Sequence, residues 1–398
     1  MGKEPKITPI EYAKAPDRKV ACHLLREITE KPVSFTPRKI DRQLILYGAG
    51  NLGRMAKEYF DRLAIPFLFV VDADPDFHRQ DPFWVGVDVI GIQNVPIELI
   101  ENALLAICVA TTSFSQVTAP LREQGWRDVV PFYDITEAYR DRHPLSNGWF
   151  ANRLNSTDEE KISEVLSGWT DDVSRAHHLQ FIAWRLLREE TNFVDAPINT
   201  KNRFFISEVL TALTDYESFL DVGAHNGGVS FRFMQLVNEQ FNEVIAIEPD
   251  RTNLGILRGN FLAIAHDCGS RLKILSTAVG EKRERRMFYE GLGYASQLSE
   301  LGKSEVCVTT IDQMHISPTF IKLHLEGHEL AALKGAQETV SRCRPIITAT
   351  SYHNDMGLWE LPKWLMAHLK NYRFLMRLHS WCGTGAVVYA IPEERKRT

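Results

Sequence analysis

Apolar and polar positions along this chain follow two periods, and the switches between them divide it. In the first third, short apolar runs at 43–47, 67–71, 87–90, 104–110 and 128–132 read as strands. After the first run, Leu52, Met55, Ala56, Tyr59, Phe60 and Leu63 recur at spacings of three and four, one apolar face of a helix. A second helix is predicted at 114–124. Two further helices follow with no strand between them. The first opens on a capping box, Thr157 with Glu160, and continues with Ile162, Val165, Leu166 and Trp169 on one face. The second spans about 173–190, with Ala176, Leu179, Ala183 and Leu186 at helical spacing. From residue 204 strands are predicted at 219–222, 243–248, 272–276, 320–325, 345–350, 373–377 and 386–390. Helices are predicted near 228–238, 251–263, 329–341 and 358–370.

Apolar strands separated by amphipathic helices specify parallel sheets covered on both faces. The predicted fold class is α/β, with two Rossmann-like three-layer α/β/α domains. The expected division is an N-terminal arm at 1–40, a Rossmann-like domain at 41–142, a helical connector at 143–203 and a second α/β domain at 204–398. The arm carries Pro5, Pro9, Pro16, Pro32 and Pro37 around one short helix near 22–28, and His143-Pro144-Leu145-Ser146-Asn147-Gly148 marks the boundary.

Composition narrows the function. Hydrophobic residues make up 44% of 398 and charged residues 24%, the balance of a soluble protein. A formal charge of -5 argues against a nucleic-acid partner held through phosphates. The basic cluster Lys282, Arg283, Arg285, Arg286 is interrupted by Glu284 and reads as a solvated hairpin. Six scattered cysteines include no C-x-x-C pair, so neither a disulfide framework nor a zinc site is expected. Residues 1–6 contain no apolar signal region, and no run is long enough to span a membrane. A cytoplasmic location follows as the expectation.

The densest chemical signal is Phe219-Leu220-Asp221-Val222-Gly223-Ala224-His225-Asn226-Gly227-Gly228, a strand delivering an acid and glycines to the start of a helix. Gly223 would let a ligand approach the backbone, and Gly227 and Gly228 leave room above a helix terminus that favours a carboxylate. Asp221 would meet a ligand amino group. The next strand ends in Glu248-Pro249-Asp250, where a carboxylate can accept hydrogen bonds from both ribose hydroxyls. The pairing suits an adenosine ligand that needs no phosphate cradle. Candidate cofactor-binding residues are therefore Asp221, Gly223, Ala224, Asn226, Gly227, Glu248 and Pro249.

This segment resembles the FkbM family of methyltransferases. The resemblance runs through most of residues 204–392 and rests on 219–228, Ile247-Glu248-Pro249, Thr310-Ile311-Asp312, the stretch Phe320–Leu330, Lys334-Gly335-Ala336, Ser351–Asp355 and Trp359–Pro362. It implies a seven-strand sheet with an antiparallel last strand near 386–390, S-adenosylmethionine as cofactor, and O-methyl transfer to a hydroxyl of a sugar or natural-product-type acceptor. His324 stands where the family usually has Asp. Alternation along a strand would put Lys322, His324 and Glu326 on one face. His324, Glu326 and His353 are accordingly the candidate proton acceptors. With His328 they also invite a metal reading, but polar residues lining a cofactor cleft are the expectation, and no metal is predicted.

Gly48-x-Gly50-x-x-Gly53 lies between a strand and a helix, and Asp72 ends the next strand, the context of a dinucleotide fingerprint. The domain resembles Rossmann-like modules attached to enzymes of sugar and polysaccharide biosynthesis, which makes Gly48, Gly50, Gly53 and Asp72 a candidate second nucleotide site. No acid-base pair accompanies the loop. The expected partner is a small-molecule or glycan acceptor, with self-association left open. Two alternatives stand beside methyl transfer: an NAD-dependent oxidoreductase working through the glycine loop, and a catalytically degenerate binding module.

Overall fold

The computed structural model describes residues 9–33, 35–146 and 153–395; the extreme N-terminus and the Asn147-Gly148 end of the expected boundary lie outside them. Five short strands build the N-terminal sheet: β1 (Leu44–Tyr47), β2 (Val70–Val71), β3 (Val89–Ile90), β4 (Leu104–Ile107) and β5 (Asp128–Pro131). They run parallel in the order β3-β2-β1-β4-β5. Helix α1 (Arg18–Glu30) precedes them; it starts earlier than expected because the Asp17 side chain accepts the Val20 N–H. Helix α2 (Asn51–Leu63) follows β1 and buries Met55, Ala56, Tyr59, Phe60 and Leu63. Between β2 and β3 the chain forms the five-residue helix Pro75–Arg79 and a 3-10 turn at Pro82–Trp84.

The second sheet has seven strands: β6 (Glu217–Val222), β7 (Phe241–Ile247), β8 (Leu272–Leu275), β9 (Phe320–Leu323), β10 (Ile346–Thr350), β11 (Tyr372–Leu378) and β12 (Ala386–Pro392). Their order is β8-β7-β6-β9-β10-β12-β11, and β12 runs antiparallel to both neighbours. The order reverses between β6 and β9, so their carboxyl ends diverge around a crevice. Helices α5 (Gly228–Leu236) and α6 (Arg251–Cys268) follow β6 and β7. No helix among the described residues is long and apolar enough to cross a membrane.

Several elements differ from the sequence pattern. The capping box of α3 (Ser156–Gly168) is Asn155 with Asp158 rather than Thr157 with Glu160, because the helix begins earlier than the apolar stripe suggests. The helix expected at 329–341 is two, α7 (Glu329–Lys334) and α8 (Gln337–Cys343). The break falls at Gly335, where a Cβ would lie 2.1 Å from the Gly280 carbonyl oxygen. A four-stranded side sheet (Ala278–Val279, Glu284–Tyr289, Gln297–Leu298, Ser304–Thr309) was not anticipated. The basic cluster runs from the turn at Lys282 and Arg283 onto the strand Glu284–Tyr289, with Arg285 paired to Glu305 and Lys282 to Glu284. The five described cysteines are free.

The connector is more deeply embedded than an amphipathic helix would be. Helix α4 (Asp172–Leu187) buries residues on all sides, including Arg175, His177, His178, Gln180 and Arg185. Its polar groups cover the edge of β11. The N–H groups of Phe374, Met376 and Leu378 donate to Thr170 Oγ1, Ser174 Oγ and His177 Nδ1. Ala176, Leu179 and Ile182 pack in the core beneath the seven-strand sheet, whereas Trp184 belongs to the core of the N-terminal sheet. Just past the helix, Arg188 pairs with Asp134 at 2.7 Å, both buried, and the Glu190 carboxylate accepts the N–H groups of Phe114 and Ser115.

Candidate active site

The crevice between β6 and β9 is built around a buried ion pair. Register sets Lys322 beside Asp221. The Lys322 ammonium donates to Asp221 Oδ1 at 2.8 Å and to the Gly223 carbonyl at 2.7 Å, while Ser230 Oγ donates to Asp221 Oδ2 at 2.7 Å. Asp221 has no exposed surface. Asp221 was expected to meet a ligand amino group; in the structure its charge is matched inside the sheet by Lys322 and Ser230. Gly223 lines the crevice, and its backbone is also tightly packed on the other side. Its φ is +78°, and a Cβ would lie 2.0 Å from the His324 carbonyl oxygen, so the chain itself occupies the space its missing side chain leaves. Gly227, with φ +87°, is crowded in the same way by Leu257 and Phe261 of α6.

The turn is tied to the end of β7. The N–H groups of Gly223 and Ala224 both donate to the Ile247 carbonyl. Glu248 accepts the His225 N–H at 2.8 Å on one oxygen and the Asp250 N–H at 2.9 Å on the other. Each oxygen keeps a second lone pair for a ligand. Burial pushes the Glu248 carboxyl up, partly offset by these backbone donors. Asn226 is half-buried, and its Oδ1 accepts the Gly228 N–H at 3.1 Å. Glu248 and Pro249 line a narrow pocket with Ile247, Asn253, Thr277, Phe288, Tyr294 and Leu298; His324 and His328 also border it.

Residues outside the glycine turn complete this pocket. Asp250, fully buried, accepts the Gly291 N–H and the Ser296 hydroxyl, both at 2.7 Å, and Asn253 Nδ2 donates to the Gly293 carbonyl. The two side chains hold the 291–296 loop over the pocket. Asp250 follows Glu248 at the end of β7, but its partners lie some forty residues on, so the sequence carries no sign of this closure.

His324, Glu326 and His353 come together, though not by strand alternation. Strand β9 ends at Leu323, and Glu326 takes a left-handed conformation with φ +50°, followed by Gly327 at +100°. Glu329 holds that turn by accepting the Leu325 and Gly327 N–H groups and the Thr350 hydroxyl. Asn354 Nδ2 donates to the Gly327 carbonyl at 2.7 Å. Within this frame His324 Nε2 lies 3.3 Å from Glu326 Oε1, and His353 Nδ1 lies 3.1 Å from Glu326 Oε2. Burial would raise the Glu326 carboxyl, but the His353 and His324 rings beside it bring it down to about 2. Burial lowers the His324 imidazole to about 3, so it is neutral at physiological pH. Tyr352 places its hydroxyl 3.5 Å from His324 Nε2 and accepts a hydrogen bond from Arg203.

A second, wider cleft adjoins the pocket at Gly223, His225, Tyr294 and His324. Its far wall is the N-terminal sheet, including Gly48, Gly50, Asn51 and Asp72. The carboxyl ends of both sheets thus open on one space. In the glycine loop a Cβ on Gly53 would lie 2.0 Å from the Gly48 carbonyl oxygen, which packs α2 onto β1, whereas Gly50 faces open space. Asp72 is largely occupied at home, accepting the Ala49 N–H at 2.7 Å and the Asp74 N–H at 2.9 Å.

Strand order, the antiparallel last strand and a pocket at the carboxyl ends of β6, β7 and β9 define a methyltransferase-type α/β protein. Residues 221–376 match the model of the methyltransferase FkbM domain. The crystal structure of a methyltransferase FkbM from Methylobacillus flagellatus KT shares the fold over 94% of this chain and 98% of its own, with a TM-score of 0.63 and 18% identity. An rRNA methylase from Streptococcus thermophilus, 11% identical, covers 48% of this chain and 97% of its own at a TM-score of 0.32. No curated protein matches.

Proposed function

We propose that this chain is an S-adenosylmethionine-dependent O-methyltransferase acting on a hydroxyl of a sugar or natural-product-type acceptor. The observation that carries this reading is the contact between two unlike compartments. One is a narrow pocket lined by Glu248 and the other is a wide cleft; His324 lines both, with Glu326 and His353 packed behind it.

The residues fit the donor. Glu248, with one free lone pair on each oxygen, would accept the ribose hydroxyls, and Ile247, Pro249 and Leu298 offer apolar surface to an adenine ring. When bound, S-adenosylmethionine supplies a sulfonium methyl group, which forms a C–O bond with the acceptor as its C–S bond breaks. Holding the acceptor oxygen in line contributes on the order of 7–11 kcal/mol of barrier reduction. A proton acceptor adds about 10²–10⁴-fold. Of the cluster, the neutral His324 ring and the ionised Glu326 are both able to accept a hydrogen bond from the acceptor hydroxyl and orient it, although their lowered pKa values make them weak bases. The N-terminal sheet forms the acceptor-side wall of the cleft.

Calorimetric titration with S-adenosylhomocysteine tests the donor half, with micromolar or tighter binding expected. Methyl transfer from labelled S-adenosylmethionine to a panel of sugars and polyketide-like alcohols tests the acceptor half. A folded protein that binds no adenosyl ligand would remove this reading.

A further inference from the structure

We propose that His324, Glu326 and His353 are the protein ligands of one divalent first-row transition-metal ion, held beside the donor pocket that His324 lines. Among the described residues this is the one group of three or more such side chains able to share an ion, with all ligand atoms within 4.8 Å of one another.

Three observations carry the assignment. First, His353 has only 3% of its side chain exposed, and neither ring nitrogen has a hydrogen-bond partner. Its Nδ1 lies 3.1 Å from Glu326 Oε2 without the alignment of a hydrogen bond. Two buried polar atoms so close and not bonded are arranged as ligands of a common centre. Second, the spacing fits. Ligands about 2.0–2.2 Å from one ion stand roughly 3.0–3.5 Å apart in octahedral or tetrahedral geometry, and the separations from the two Glu326 oxygens are 3.3 and 3.1 Å. Third, the carrier loop is rigid before any ion binds, because Glu329, Thr350 and Asn354 fix the left-handed turn that presents Glu326.

The donor set chooses the class of ion. Two imidazoles and one carboxylate favour Zn²⁺, Fe²⁺, Co²⁺ or Ni²⁺ over Mg²⁺ and Ca²⁺, which prefer all-oxygen shells. Three ligands leave positions open. His324 lines the wide cleft, so an oxygen of the acceptor can complete the shell there. This part deepens the proposed function and rests on it: the cluster engages the acceptor oxygen through an ion, in place of taking its proton directly. The ion site itself does not depend on that reading.

The test uses untagged full-length protein stripped with a chelator and titrated with Zn²⁺ and, separately, Co²⁺. Expected are one ion per chain, d–d absorption bands for the Co²⁺ form, and no comparable binding of Mg²⁺. Glu326→Gln and His353→Ala should each weaken binding about 100-fold or more, since even outer-shell partners of metal ligands are worth 10–100-fold. Exposed His23→Ala should leave binding unchanged. If His353→Ala does not fold, the near-isosteric Glu326→Gln carries the test alone. A folded, stripped protein that takes up no Zn²⁺ or Co²⁺, or whose binding survives Glu326→Gln, overturns the site. Titration of the same stripped sample with S-adenosylhomocysteine separates the two proposals: donor binding without ion binding leaves the methyltransferase reading standing and removes this one.

Discussion

Replacing Lys322 by Met removes one charge from the centre of the seven-strand sheet while keeping the apolar stem. Lys322 and Asp221 have 1% and 0% of their side chains exposed, so water cannot compensate for the loss. In the variant, Asp221 keeps only the Ser230 hydroxyl, and the Gly223 carbonyl loses its Lys322 donor. Breaking a buried pair from one side costs about 3–5 kcal/mol, mostly the penalty of a stranded charge. Asp221→Asn added to Lys322→Met removes that charge, so the double variant should recover a substantial part of the loss. Urea unfolding followed by circular dichroism and tryptophan fluorescence measures all three variants, and the double-mutant cycle isolates the coupling. A Lys322→Met variant within about 1 kcal/mol of wild type would refute the argument. So would an Asp221→Asn variant of unchanged stability that had lost S-adenosylhomocysteine binding, because Asp221 would then be facing the ligand.

Other consequences are as direct. Glu248→Gln should weaken S-adenosylhomocysteine binding by about 2–4 kcal/mol, read by calorimetry, since charge-assisted bonds to two hydroxyls are at stake; unchanged affinity would exclude Glu248 from the ribose site. Gly223→Ala should fail to accumulate as folded protein or lose several kcal/mol of stability, because its Cβ would overlap the His324 carbonyl at φ +78°; a wild-type melting temperature would contradict this. Burial lowers His177, His178 and His379 to about 4 each. Their folded pKa values lie below the unfolded value near 6.5, so the unfolded chain binds protons more readily. Stability should be full above about pH 6.5 and fall progressively toward pH 4, and His178→Gln should flatten that slope in urea titrations at stepped pH. His178 is a sharp case, since its Nδ1 accepts the Trp169 indole N–H and leaves no site for a second proton.

Much of this architecture was legible in the chain. Short apolar runs announced the strands of both sheets, and the glycine turn and Glu248 at the next strand end both border the pocket. What stayed hidden shares one physical feature, which is dependence on partners distant in sequence. Asp221 looked like a ligand residue because its type and position suit one, but the sequence does not show that Lys322 already occupies it. Glu326 reads as a strand residue until Glu329 bends the loop. The side sheet escaped notice because Glu284–Tyr289 starts with Glu-Arg-Arg and has no clean alternation, and two of its strands are two residues long. Helix α4 carries His177, His178 and Arg185, which look like a solvent face and instead serve buried backbone groups and carbonyls.

That helix has a bearing on how the protein can be divided. Strand β11 is the outer strand of the seven-strand sheet, and its outward N–H groups at Phe374, Met376 and Leu378 are satisfied by Thr170, Ser174 and His177 rather than by another strand. A fragment beginning near residue 204 would retain the whole sheet and lose all three acceptors. It would present a bare strand margin, a template on which identical fragments can add to one another. Excising the C-terminal half at the start of its own sheet should therefore yield a self-associating polymer, while a cut placed before Asn155 keeps the margin sealed.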